Sequence, residues 1–183
     1  MTSQVFALVL FSAALHASWN FGARKVSGNL SVMWLGMWAA CLFALPLLFL
    51  FPVTVSELRA AWPYVVATGV VHALYFLLLS RAYEEGEISL VYPIARGTGV
   101  AGTALAANLV IHESLSGLGV AGVVTVAVGI FLLGFRDLLS RATARSALYA
   151  LFVGGTIVVY SIVDKQGVGM IHPVPYIYAM FLI

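Results

Sequence analysis

The chain of 183 residues is 62% hydrophobic and only 9% charged, with a mean hydropathy of +1.04 and a formal net charge of +2. A soluble domain carries about a quarter charged residues, so a soluble enzyme and a nucleic-acid-binding module are excluded and a membrane protein is implied. The single cysteine, Cys41, lies in an apolar run and leaves no disulfide framework.

Apolar runs of roughly 18 or more residues, each long enough to span about 30 Å of hydrocarbon, recur along the whole chain. They predict an all-α membrane protein, a multi-helix transmembrane bundle of six spans and part of a seventh. The first span covers residues 4–23. No lysine or arginine precedes it, and Arg24 and Lys25 follow, the reverse of a secretory signal. The second covers 31–51 and is closed by Pro52. The third covers 62–83, with Pro63 placed in a first helical turn, where its missing N–H is not needed. The fourth, fifth and sixth cover 88–111, 115–135 and 145–165. A seventh begins near Pro175 and stops at Ile183, too short to cross a bilayer, so the chain reads as part of a longer protein.

An internal repeat points the same way. Trp19-Asn20-Phe21-Gly22-Ala23-Arg24 can be laid on Tyr160-Ser161-Ile162-Val163-Asp164-Lys165, so span one matches span six. A unit of five spans, an odd number, makes the second copy inverted in the membrane. The expected organisation is a first five-helix repeat over 1–137 and the start of a second, inverted one over 138–183. The loops after spans one, three and five hold Arg24, Lys25, Arg81, Arg136, Arg141 and Arg145, whereas the other side holds only Arg59 and Lys165. Lysine and arginine gather on the cytoplasmic side, so this count places the amino terminus outside.

Polar residues fall at helical spacing. Ser12, His16, Trp19 and Asn20 share one stripe of span one, and Tyr64, Thr68, His72 and Tyr75 share one of span three. Span four carries Tyr92, Arg96, Gly99 and Thr103; span six carries Tyr149, Thr156, Tyr160 and Asp164. Such stripes cannot face lipid, so they face each other, as interhelical hydrogen-bonding glue or around a solvated cavity.

Arg96 lies about 12 Å into its span at 1.5 Å per residue, a depth at which an unpaired arginine costs on the order of 2.5 to 3.5 kcal/mol. Its candidate partners are Asp164, a carboxylate among Glu84, Glu85 and Glu87, or a bound substrate; the plain alternative is a side chain that snorkels to the interface. Pro93 removes an N–H and is expected to kink or break the helix near Ser89, unless the helix simply starts at Pro93. His16, His72 and Asp164 are candidates for taking up a coupling proton. The two histidines are also a candidate haem pair, or packing residues with one hydrogen bond each. His112 beside Glu113 sits at a helix boundary, in a capping or interface role. No phosphate loop, zinc-protease motif or nucleophile elbow is present, so no catalytic residue, metal site or cofactor is expected.

These residues resemble the drug/metabolite transporter superfamily in its EamA-like ten-helix branch. The resemblance is carried by Glu87-Ile88-Ser89-Leu90-Val91-Tyr92-Pro93-Ile94-Ala95-Arg96-Gly97, by Glu113 with Gly122 and Gly129 after it, and by the five-helix period. It implies a ten-helix carrier working by alternating access, with Tyr92, Pro93 and Arg96 lining or shaping a central cavity and Glu113 with its glycines in a structural role. Many members have glycine where this chain has His112, and typically a cytoplasmic amino terminus, opposite to the charge count.

The expected function is therefore movement of small anionic or zwitterionic metabolites across the cytoplasmic (inner) membrane by a multi-pass transporter. Arg96 would hold the charged group, Tyr92, Trp19, Asn20, Tyr75 and Tyr160 would line the substrate site, and Pro93 would set the kink. The expected partners are the small-molecule substrate, the lipid bilayer and a second copy in a homodimer, with no nucleic acid. The rival readings are a flippase for a phosphate-bearing lipid and a non-transporting membrane or redox subunit.

Overall fold

The computed structural model describes every residue except Met1, Thr2, Ser27, Gly28, Glu113 and 136–140. All elements among the described residues are helices: α1 (Ser3–Lys25), α2 (Leu30–Ala44), α3 (Leu47–Leu50), α4 (Val55–Glu85), α5 (Ile88–Val110), α6 (Gly117–Phe135), α7 (Arg141–Gly167) and α8 (Pro173–Phe181). Three of them, α1, α4 and α7 over Ala144–Gly167, are long and apolar enough to cross a membrane; Leu30–Ala44 and Gly117–Ile130 are shorter apolar helices.

Local chemistry sets the ends. The Asn29 side chain accepts the Val32 N–H at 3.2 Å and starts α2. Pro46 has no N–H for the Leu42 carbonyl, and the second apolar run divides there into α2 and the single turn of α3. A capping box fixes the start of α4: the Glu57 N–H donates to Thr54 Oγ1 at 3.3 Å, and the Thr54 N–H donates to Glu57 Oε2 at 2.8 Å.

That box corrects the sequence reading of Pro63, which lies inside α4 and not in its first turn. With 31 residues α4 is about 46 Å long, more than the hydrocarbon thickness, so its polar first turns project beyond the apolar layer. The seventh helix also starts earlier than expected, at Pro173, with the His172 ring accepting the Val174 N–H. His172 stacks on Phe51 with ring centroids 4.1 Å apart, which ties the end of α3 to the start of α8.

Helix α7 lies between α4 and α5 and packs along both; α6 packs on α5, and α8 on α4 and α2. The seam is built from small residues. A Cβ added to Gly154 of α7 would sit 2.6 Å from Thr98 Cβ of α5, and one added to Gly99 of α5 would sit 2.7 Å from Ile157 of α7, so the two backbones approach as closely as glycine allows. The core of this trio holds Tyr75, Leu79 and Tyr83 of α4, Val91, Ile94 and Ala95 of α5, and Ala147, Ala150, Val153 and Ile157 of α7, with Ala23 of α1 at its edge.

Around this core the chain is apolar on its outside. Leu8, Phe11, Phe43, Phe49, Leu109 and Leu118 are exposed, and the total accessible surface is 11387 Å². A compact soluble protein of this mass exposes about 8,500 Å². Such a surface suits hydrocarbon, not water.

Three ion pairs collect at one end of the bundle: Arg24 with Glu87 at 3.7 Å, Arg81 with Glu84 at 3.3 Å and Arg145 with Glu85 at 3.6 Å. They join the last turns of α1 and α4 to the first turns of α5 and α7 and place those four helix ends on one side. Exposed pairs of this kind contribute little stability.

Candidate functional site

The polar stripes of α4, α5 and α7 turn toward one another, and the lower half of the α1 stripe joins them. Thr68 and Tyr75 of α4, Thr156 of α7 and Asn20 of α1 are buried; His16, His72, Tyr92, Arg96 and Tyr160 are half-buried. Ser12, at the other end of the α1 stripe, is exposed and takes no part. Thr156 donates to its own backbone at Val153 O, 2.7 Å away, so it is not interhelical glue.

Arg96 is the centre of the cluster. Its guanidinium donates to Nε2 of His16 across the α1–α5 interface and sits 5.9 Å from the centre of the Tyr92 ring. Of the partners the sequence offers, Asp164, a carboxylate among Glu84, Glu85 and Glu87, or a bound substrate, no carboxylate among the described residues pairs with Arg96. Glu84, Glu85 and Glu87 are held by arginines at the bundle end, and Asp164 accepts a 2.9 Å hydrogen bond from the Tyr176 hydroxyl of α8. The acids are fixed elsewhere by shorter reaches, and the neutral imidazole of His16 satisfies the guanidinium instead.

A guanidinium only donates. The Nε2 atom of His16 is therefore the acceptor, and its neutral ring carries the proton on Nδ1. His72 is fixed by the same logic: its Nδ1 lies 2.9 Å from the Thr68 carbonyl, which only accepts, so Nδ1 holds the proton. The ring of His72 stacks on Tyr160, centroids 4.3 Å apart. Because the Nε2 of His16 already serves Arg96, a haem bridging the two histidines would have to break that pair.

Aromatic rings wall the cluster. Tyr75 meets Tyr160 edge-on at 6.1 Å and Phe76 at 5.2 Å, and Trp19 meets Phe76 edge-on at 6.4 Å. Behind them the Tyr83 hydroxyl donates to Asn20 Oδ1 at 3.3 Å, and the Asn20 amide donates to the His16 carbonyl at 2.8 Å. These bonds hold α1, which is otherwise almost unburied, at the depth where His16 reaches Arg96. Tyr83 was not singled out in the sequence; it lies eight residues after Tyr75, on the extension of the same stripe, and that spacing was the available signal.

Helix α5 runs without interruption from Ile88 to Val110 and contains Pro93, so it neither starts at Pro93 nor stops before it. Pro93 still denies the Ser89 carbonyl its helical partner, one turn from Tyr92 and Arg96. Beyond the helix His112 adopts φ +58°, a left-handed conformation that glycine favours, at the position following the last helical residues. Glu113 lies outside the described residues, and α6 is started by Ser116, whose side chain accepts the Gly119 N–H at 3.1 Å.

A cleft of about 260 Å³ opens beside the cluster, between α2, α4 and α8, with Trp34, Trp38, Gly69, His72, Phe76 and Met180 among its lining residues. Its walls are mainly apolar, and His72 and Phe76 belong to both the cleft and the polar cluster.

Comparison with known families decides the class: residues 4–135 match the family described as EamA-like transporters. The chain belongs to the EamA-like transporter family. As an EamA-like protein it is a multi-pass membrane protein and not an enzyme. No match was found among curated proteins or solved structures.

Proposed function

We propose that this EamA-like chain is a carrier of small anionic or zwitterionic metabolites in the cytoplasmic (inner) membrane, working by alternating access around Arg96. The observation that carries the reading is a guanidinium at mid-depth that has no carboxylate partner among the described residues, bonded to a neutral histidine and walled by tyrosines. No carboxylate among the described residues neutralises its positive charge. A cargo anion can supply what the fold withholds, and a bidentate contact from arginine to a carboxylate gives it orientation. Tyr92, Tyr75, Tyr160 and Trp19 would form apolar walls with polar tips, and Asn20 would orient the α1 side. His16, His72 and Asp164 are the groups able to exchange a proton there, and Pro93 supplies the unbonded carbonyl beside the site.

The chain is read as a first five-helix repeat, residues 1–137, followed by the beginning of an inverted second repeat, 138–183, in a ten-helix protein of six spans and part of a seventh here. One contact supports the register. Trp19 and Tyr160, which coincide when the repeats are overlaid, both meet the Tyr75–Phe76 pair of α4 edge-on, Trp19 at an interplanar angle of 89° and Tyr160 at 85°. A homodimer is the expected assembly.

The test is transport by the full protein reconstituted in vesicles. A screen of amino acids and organic acids for thermal stabilisation names the cargo, and its uptake is then compared between the wild type and Arg96→Leu at equal incorporation. Loss of at least tenfold supports the reading; unchanged transport overturns the role of Arg96.

A further inference from the structure

The Arg96–His16 pair constrains how the site can be occupied. Arginine cannot accept a hydrogen bond and does not lose its proton in proteins, so the bond exists only while Nε2 of His16 keeps a lone pair. When that nitrogen takes a proton from solvent, both members are cations and both only donate. The bond is then lost, and two adjacent positive charges in a medium of low dielectric favour an anion between them.

We propose that His16 is a proton gate on the Arg96 site: neutral His16 occupies the guanidinium, and protonated His16 releases it, so that an anion enters together with a proton. The inference rests on the reading of Arg96 as the cargo site and adds a coupling ion and a pH sense to it. Helix α5 presents Arg96 and Tyr92 to this region, α7 presents Tyr160, and α4 presents Tyr75 and Tyr83. All of these except Arg96 are neutral phenols in the pH range where histidine titrates. Helix α2, which meets α1 through Gly36 and Trp19, carries no charged residue. Asp164 lies one turn beyond Tyr160 and is held by Tyr176, and His72 is bonded through Nδ1 to the Thr68 carbonyl with its ring stacked on Tyr160. His16 is thus the titratable group whose change of charge acts on Arg96 directly.

Linkage fixes the sign. If protonation of His16 strengthens anion binding, the anion raises the affinity of His16 for its proton by the same factor. Anion affinity therefore rises as pH falls through the titration of His16 and levels off below it.

The probe is benzenesulfonate, an aromatic anion that stays ionised throughout, so any pH dependence belongs to the protein. Its binding to the full protein in nanodiscs is measured by calorimetry at pH about 5 and about 8, the range in which histidine changes charge. The gate predicts at least roughly tenfold tighter binding at the lower pH, a difference of about 1.4 kcal/mol. It also predicts pH-independent binding in His16→Gln, whose amide oxygen can accept from Arg96 and cannot titrate. A second readout needs no variant: in ¹⁵N-histidine NMR of the wild type, benzenesulfonate moves the protonation midpoint of one histidine, the one lost in His16→Gln, to higher pH. Binding that is lost in Arg96→Leu but independent of pH in the wild type overturns the gate and leaves the anion site standing. No binding at either pH overturns both.

Discussion

His16 of α1 and Arg96 of α5 are joined by a hydrogen bond that crosses the bundle between a peripheral helix and a central one. With the Tyr83–Asn20 bond, it brings α1, with one polar stripe and an outer face of leucine and phenylalanine, to the polar interior. The pair has two consequences. It satisfies a charge that would otherwise be expensive in hydrocarbon, and it makes the position of α1 depend on the state of the site.

The anchoring of α1 can be weakened without touching Arg96. Tyr83→Phe removes the donor to Asn20 Oδ1 and leaves a buried amide oxygen unsatisfied, at a cost of about 1 kcal/mol. Thermal unfolding in detergent should show a lowered midpoint, and hydrogen exchange should increase in α1 before it increases in α4 or α7. Equal exchange in all three helices would mean that α1 is held by something else.

The α5–α7 seam should tolerate no added volume at one glycine and accept it at the next. Gly154→Ala places a methyl 2.6 Å from Thr98 Cβ and 3.1 Å from the Ala95 carbonyl, and it should destabilise by about 1–3 kcal/mol. Gly155→Ala meets open space and should be neutral or slightly stabilising, within about 0.5 kcal/mol. Thermal midpoints of the two variants check the contrast; similar midpoints would refute the close approach.

His112 occupies a left-handed backbone conformation directly after α5. His112→Gly removes that strain and should stabilise by about 0.5–1 kcal/mol, whereas His112→Val should destabilise. Chemical denaturation or thermal midpoints measure both. A histidine contact at the surface that outweighs the strain would reverse the order.

The ion pairs at one end of the bundle make a topological statement. Arg81, Glu84, Glu87 and Arg145 share a side, and Ser56 at the capping box of α4 lies on the other. In a Cys41→Ser background, an impermeant maleimide should reach Glu84→Cys and Arg145→Cys from the cytoplasmic side and Ser56→Cys from the external side. Labelling of Glu84→Cys from outside would reverse the assignment and put the amino terminus in the cytoplasm.

Most of the architecture was legible because its signals are local. Apolar run length located the helices, Pro52 and the residues around Ile88 and Ile111 marked their ends to within a few positions, and the 3.6-residue period picked out the stripes that pack together. What was not legible depended on partners. Pro63 looked like the start of a helix until the Thr54–Glu57 box was seen to begin it two turns earlier. For Arg96 the sequence left a carboxylate or a bound substrate as candidate partners, and three of the acids nearest in sequence are claimed by arginines at the bundle end. No pattern in the chain shows that α7 will lie between α4 and α5, so the contacts of Tyr160 with His72 and Tyr75 follow only from the tertiary packing. Tyr83 continues the stripe of Tyr75 eight residues on, but a tyrosine at the end of a helix is as common at an interface as in a core, so its bond to Asn20 shows only in the packing.

If Arg96 holds the cargo, water or cargo reaches it from within the membrane. Accessibility of a cysteine at Tyr92, one turn before Arg96, measures this directly. In the Cys41→Ser full protein in vesicles, Tyr92→Cys should react with a charged, impermeant methanethiosulfonate and should react more slowly when the transported anion is present. A Tyr92→Cys that is never modified, with or without cargo and from either side, while Ser56→Cys reacts readily, would contradict it.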